Sequence, residues 1–156
     1  MSNLSATVTS TLVNAYTNYA GRVHKLSESL SDEQFWTKPY PYGNSFGHLV
    51  LHLTGNLSYY IGTQIAGTGY VRDREREFTE TSRLPKVAVL KTFDDAIEMV
   101  LITLHAQTAE TWSADYQALG EKVGNRLDMF LHCAAHLHHH VGQMIYLEKE
   151  LQRSVS

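Results

Sequence analysis

At 156 residues with 43% hydrophobic composition, the chain has the size of one domain with a single buried core, so one domain over 1–156 is expected. Its 13 Lys+Arg against 16 Asp+Glu give a net charge of -3, with no basic field to attract a phosphate backbone, which argues against a nucleic-acid partner. No segment approaches the ~18 consecutive apolar residues of a membrane span, and the N-terminus MSNLSATVTSTLVNAY lacks the charged start and apolar run of a secretion signal, so a cytoplasmic protein without membrane attachment is expected.

Helical periodicity runs through the chain, with no alternating strand pattern and no internal repeat. Leu12, Ala15, Tyr16, Tyr19 and Val23, spaced three and four apart, predict a first long helix over about Ser5 to Leu30. Ser31, Asp32 and Glu33 cap a short turn at Phe35 and Trp36, which PYPYG ends. Asn44 or Ser45 caps a second helix that extends to about Ala66, where the glycines of AGTG stop it. A polar loop follows, carrying RDREREF from Arg72 to Phe78 and ending near Pro85. A third helix reaches about Ala109 through Val87, Leu90, Phe93, Ile97 and Leu104, and a connection around Trp112 to Gly120 leads to a fourth, from about Lys122 to Gln152. Four such helices predict an all-α, antiparallel four-helix bundle, a fold whose facing side chains commonly build metal sites.

The fourth helix holds five of the chain's nine histidines between His132 and His140. Cys133 is the only cysteine, so no disulfide and no paired-thiolate zinc site can form, and a metal here must be held by nitrogen or oxygen. At about 100° per residue, His140 lies roughly 70° and His136 roughly 110° from the core direction set by Phe130, Cys133, Leu137, Val141 and Met144. Those two line one flank, one turn apart, with rings able to converge on one point, as the two histidines of HExxH do. His132 and His139 project away from the core and His138 falls on the other flank, all three reading as solvated. On the second helix, FGHLVLHLTGN places His52 roughly 120° from the core direction and His48 nearly opposite it, so His52 is the better third ligand. Asn56, one turn beyond His52, and Gln143, near His140, are candidates for hydrogen bonds to the ligands or for substrate contacts, and Tyr59 or Tyr60 for lining a pocket. His24 and His105 read as isolated structural residues and Cys133 as a small core residue. RDREREF reads as a salt-bridged, solvated loop, with Arg72, Arg74 or Arg76 meeting an anionic substrate or partner subunit as the alternative.

NSFGHLVLHLTGN together with HLHHHVGQ resembles the DinB-like (YfiT-like) metal-binding four-helix family over nearly the whole chain. The resemblance implies that His52, His136 and His140 bind a divalent metal, and that any activity is transfer or isomerisation dependent on a low-molecular-weight thiol. It also points to a homodimer, as do long apolar helical faces. Three neutral imidazoles leave a divalent ion its full charge and an open position, so a water or thiol binding there would lose a proton readily. Zinc is the first expectation, with nickel, iron and manganese open. With no carboxylate in the predicted ligand set, thiol transfer to a small-molecule substrate is favoured over hydrolysis. The rival is a metal- or small-ligand-binding helical dimer without turnover.

Overall fold

The computed structural model describes residues 3–118 and 124–153, and among these every regular element is helical. Helix α1 (Leu4–Glu28) starts where Asn3 Oδ1 accepts from the Ser5 amide, and it buries Leu12, Tyr16, Ala20, Val23 and Ser27, a single stripe at spacings of three and four. The short α2 (Asp32–Trp36) is held by a reciprocal capping box between Ser31 and Gln34. Of the two candidate caps for the next helix, Ser45 takes the role: its side chain accepts from the His48 amide at the start of α3 (Phe46–Leu57).

Beyond Leu57 the chain keeps coiling but widens to a π-helical segment, Ser58–Thr63, a rare form found frequently at functional sites. Gly67 and Gly69, both at positive φ, then turn it out of the helix, as the AGTG reading requires. The following crossover is not wholly irregular. It contains α4 (Arg76–Thr79) and returns along the bundle to α5 (Lys86–His105). A further short helix, α6 (Ala109–Trp112), precedes α7 (Arg126–Arg153). The expected start of this last helix at Lys122 and the end of the preceding connection at Gly120 lie outside the described residues.

The four long helices form the expected bundle as a ring in which α1 packs on α7 and α5, and α3 packs on the same two. Directions follow from cross-helix contacts. Tyr16 donates to the Phe130 carbonyl at 2.7 Å and Ser29 to Glu148 at 2.9 Å, so α1 and α7 run parallel. His24 meets Asp94 at 2.6 Å while Lys86 reaches back to the Ser27 carbonyl at 2.8 Å, so α1 and α5 are antiparallel. The α3–α7 pair, which carries the histidines, is antiparallel too: Leu49 shares a cavity with Gln143 and Leu147, whereas His52 meets His136. It follows that α3 and α5 run parallel, which is why a long crossover must join them, so the all-α bundle is as expected but its neighbours are antiparallel only across α1–α5 and α3–α7, not throughout. Phe35, Phe46, Phe93, Phe130, Leu53 and Leu137 fill the ring completely buried, each contributing about 1.5–3 kcal/mol of apolar burial.

Candidate metal centre

His52 from α3 and His136 and His140 from α7 are brought together at the antiparallel α3–α7 seam. His136 Nε2 stands 3.1 Å from His52 Nε2 and 3.1 Å from His140 Nε2, and the three nitrogens lie within 4.8 Å of one another. The rings meet edge to face, at interplanar angles of 73°, 85° and 87°, so nitrogen edges rather than ring faces line the point of convergence.

The far nitrogens fix the tautomers. His52 Nδ1 donates to Glu77 Oε2 at 2.7 Å, and His140 Nδ1 donates to Gln143 Oε1 at 2.7 Å, so in each ring the Nε2 lone pair is turned inward. His136 Nδ1 is buried and has no partner among the described residues. If His136 carries its proton on Nδ1, three lone pairs face each other. If it carries the proton on Nε2, it can donate to one neighbour, and the other lone pair stays unmatched. A cation at the convergence point satisfies all three. A proton is disfavoured on both α7 rings: burial, with the charges of His140 and His52 next, lowers the pKa of His136 to about 3, and burial lowers that of His140 to about 4. Imidazoles sharing a tetrahedral zinc at ~2.0–2.1 Å stand roughly 3.3 Å apart, close to the 3.1 Å from His136 to each of the other two. The three histidines could therefore hold a divalent metal ion.

Glu77 was not singled out by the sequence reading. It comes from the crossover, in the stretch read as a solvated loop, and it is buried, accepting from His52 on one oxygen and from Arg72 Nε on the other at 2.7 Å, while Arg72 Nη2 reaches the first at 3.0 Å. Burial alone would raise its pKa, but the hydrogen bonds from His52 and Arg72 outweigh this and hold it below the ordinary carboxylate range. The loop reading is thus corrected at these two residues. A buried carboxylate next to a histidine needs a compensating cation, and Arg72 supplies it. The solvated reading does hold for Asp73, Arg74, Glu75 and Arg76, which are exposed. One signal for Glu77 was present in the sequence. Gly55 sits inside a helix, three residues after His52, at a cost of about 1 kcal/mol relative to Ala, and a Cβ there would overlap the Glu77 carboxylate.

His48 corrects a second expectation. It is buried rather than turned to solvent, because α2 and the crossover cover the side of α3 that a one-core projection leaves open. Its Nδ1 accepts from Ser45 Oγ at 2.7 Å, its Nε2 donates to the Glu80 carbonyl at 2.9 Å, and Trp36 packs edge-on against the ring. Both nitrogens are committed, which leaves His52 as the α3 residue that joins the cluster.

The remaining candidates are distributed around this arrangement. Gln143 holds His140, as described. Arg72 Nη2 lies 3.4 Å from His52 Nδ1, and its guanidinium stacks over Tyr60 with 5.6 Å to the ring centroid. Asn56 is buried one turn past His52, its Oδ1 without a partner among the described residues. His132 and His139 are exposed, and His138, also exposed, stacks on Tyr19 at 4.5 Å. Cys133 is a core residue, its Sγ 3.6 Å from Met129 Sδ. Two cavities flank the cluster. One, of ≈ 490 Å³ and lined by Tyr59, Tyr60, Tyr70, Arg72 and Arg74, adjoins the His52 side, and the other, of ≈ 340 Å³, includes Gln143 and adjoins the His140 side.

The family model described as the DinB superfamily matches residues 16–144, an interval that contains all three histidines and Glu77. No curated protein matches the chain.

Proposed function

The chain belongs to the DinB superfamily, and from that premise we propose that it is a divalent-metal-dependent transferase that moves a low-molecular-weight thiol onto a small electrophilic substrate. The observation that carries this reading is the convergence of three imidazoles whose outer nitrogens are held, in two cases, by Glu77 and Gln143. A set of three protein ligands leaves a position open, the pattern of catalytic rather than structural sites. A divalent ion held there would supply the positive charge that favours the thiolate form of a thiol beside it.

The chain's own groups do the rest. Glu77 fixes the tautomer and ring angle of His52 and strengthens it as a donor, and Arg72 keeps Glu77 ionised. Gln143 does the same for His140 without adding charge. Among the described residues no carboxylate joins the histidines as a free general base, and Glu77 has both oxygens occupied, so the arrangement favours a nucleophile that needs little help to ionise, such as a thiol, over water. Small cellular thiols commonly carry carboxylates, and the cavity beside His52 suits them. Arg74 stands at its edge with no carboxylate partner among the described residues, and three tyrosines line the walls. Zinc is the proposed ion; nickel, iron or manganese would also accept nitrogen ligands. The protein is proposed to work as a homodimer, supported by large apolar side chains left exposed, including Val87, Ile102 and Leu131. Among the described residues no helix is long and apolar enough to cross a membrane.

The test begins with protein purified without a nickel column. Its metal content is measured by mass spectrometry, and each metal form is assayed for consumption of a panel of thiols against electrophilic acceptors, with light scattering giving the oligomeric state. Metal-dependent thiol loss supports the transferase. Stoichiometric metal with no turnover of any pair favours a metal-binding protein without catalysis.

A further inference from the structure

The cavity on the His140 side has a different character from the one beside His52. Tyr40, Tyr42, Leu49, Gln143, Tyr146 and Leu147 form most of its wall, and none of its lining residues is charged. Its floor is rigid, since Leu49 and Leu147 are buried in the core. Its rim is aromatic and open: Tyr42 is 74% and Tyr146 71% exposed, although neither needs solvent for its ring. Gly43, at φ 77°, lets the loop fold back over this end of α3, and Tyr40 closes it by donating to the Tyr146 carbonyl at 3.3 Å. The Tyr40 and Tyr42 rings stand parallel, within 5°, at 5.6 Å between centroids. A volume of ≈ 340 Å³ falls in the range of small-molecule sites, roughly 300–1,000 Å³, which are typically apolar with one or two polar groups that orient the ligand. Here the side-chain amides in the lining are those of Asn44 and Gln143, and the Gln143 oxygen is the acceptor that holds His140 Nδ1 at 2.7 Å.

We propose that this cavity binds an uncharged aromatic or apolar molecule, and that its occupancy is coupled to the histidine cluster through Gln143. A charged ligand would lose its hydration against walls that offer no counter-charge, whereas a flat apolar ring gains tyrosine contacts on entry. A ligand that hydrogen-bonds the Gln143 amide shares that side chain with His140, and turning the amide to suit the ligand would move the oxygen that His140 Nδ1 bonds, so the cavity and the metal centre are linked through one side chain. The coupling, though not the binding, rests on the metal-centre reading above. On that reading the electrophilic substrate is an uncharged apolar or aromatic compound, held on the opposite side of the cluster from the arginine-lined cavity.

The test is a fluorescence titration of the full chain with a neutral solvatochromic naphthalene ketone, run in parallel with a naphthalene sulfonate, on metal-free and zinc-loaded protein. Saturable, blue-shifted binding of the neutral probe is expected, with at least about tenfold weaker binding in Leu49→Trp, which fills the floor, and several-fold weaker binding in Tyr146→Ala, whose exposed position keeps the fold intact. Zinc affinity should shift between probe-free and probe-saturated protein, with the reciprocal shift in probe affinity, and both should vanish in Gln143→Ala. Absent neutral-probe binding, or binding unchanged in both cavity variants, overturns the site. Equal affinity for the sulfonate overturns the ligand class. Probe affinity that falls as sedimentation shows the chain self-associating assigns this face to a second copy, which also overturns it. If zinc binds and the probe binds without mutual effect, the coupling alone fails. If the probe binds and zinc does not, the metal reading fails and the cavity stands.

Discussion

Two helices of this bundle carry histidines at the same four-residue spacing, His48 and His52 on α3 and His136 and His140 on α7, and the structure uses the pairs differently. On α7 both rings converge on one point. On α3 only His52 does, while His48 is bonded at both nitrogens to Ser45 and the Glu80 carbonyl under Trp36. The spacing i, i+4 places two rings on one helix face, but what covers that face decides whether their lone pairs stay free. α7 leaves its flank open beside α3, whereas the first turn of α3 is closed by α2 and the crossover.

The sharpest way to break this comparison is to remove one ring from each pair. His136→Ala or His140→Ala should lower affinity for zinc by more than about 100-fold, beyond the 10–100-fold typical of losing a group that merely supports a ligand. His48→Ala should leave zinc affinity within a few-fold of the parent. It should instead cost about 1–3 kcal/mol of stability, because the Glu80 carbonyl and Ser45 lose a buried partner, lowering Tm by roughly 2–4 °C per kcal/mol. Competition against a chromophoric chelator and calorimetry separate the two readouts. Zinc loss in His48→Ala comparable to that in His140→Ala would show that the pairs are equivalent after all.

A smaller effect is expected at Glu77. Glu77→Gln keeps the size and one acceptor oxygen but removes the charge that Arg72 and His52 share, so zinc affinity should fall about 10–100-fold with the fold retained. Glu77→Ala should also destabilise the protein by about 3–5 kcal/mol, since it leaves the largely buried Arg72 without its carboxylate. Zinc affinity in Glu77→Gln equal to that of the parent would remove Glu77 from the site.

These residues also show how far the sequence reached. The periodic positions of Tyr16, Leu53, Phe93 and Leu137 made the bundle legible, because amphipathic spacing is what folding buries. His52, His136 and His140 followed from the same angles. Helix direction did not, since periodicity is the same read up or down a helix, and the parallel α1–α7 pair rests on contacts such as Tyr16 with Phe130. Glu77 was hidden for a related reason: it lies 25 residues from His52, in an alternating-charge segment that looks solvated until the crossover folds onto α3. His48 was misplaced because a projection with one core direction has no term for a second covering layer.

The pH dependence of the metal-free protein sharpens the contrast further. His136 and His140 have folded-state pKa values lowered to about 3 and about 4, against about 6.5 in an unfolded chain, mainly through burial. Between those values the unfolded state binds more protons, so stability falls as pH drops from about 7 towards 4. Glu77, whose folded pKa is lowered, contributes stability that is present above its unfolded value near 4.5 and is lost as pH falls below it, so its share appears at the acid end of the same descent. A His136→Ala/His140→Ala double variant should show a flatter Tm profile between pH 7 and 5 than the parent. An unchanged slope would mean that these two rings are not held neutral by the fold.

The smallest effects belong to the histidines of α7 that point elsewhere. His138 lies flat on Tyr19, with 4° between the rings, at an exposed position, so His138→Ala should cost no more than about 0.5–1.5 kcal/mol and leave zinc binding unchanged. His132 is exposed and reaches the cluster through charge alone, adding to the forces that keep His136 neutral. Replacing it with Ala should therefore ease protonation of His136 slightly while zinc affinity at pH 7.5, well above the pKa of His136, stays within about twofold of the parent. The measurement is zinc affinity for His132→Ala and His138→Ala beside His140→Ala at pH 7.5 and again at pH 5.5. Loss of zinc in His132→Ala with retention in His140→Ala would shift the ligand pair one turn towards the start of α7, and would mean that the open flank of that helix is not the one facing His52.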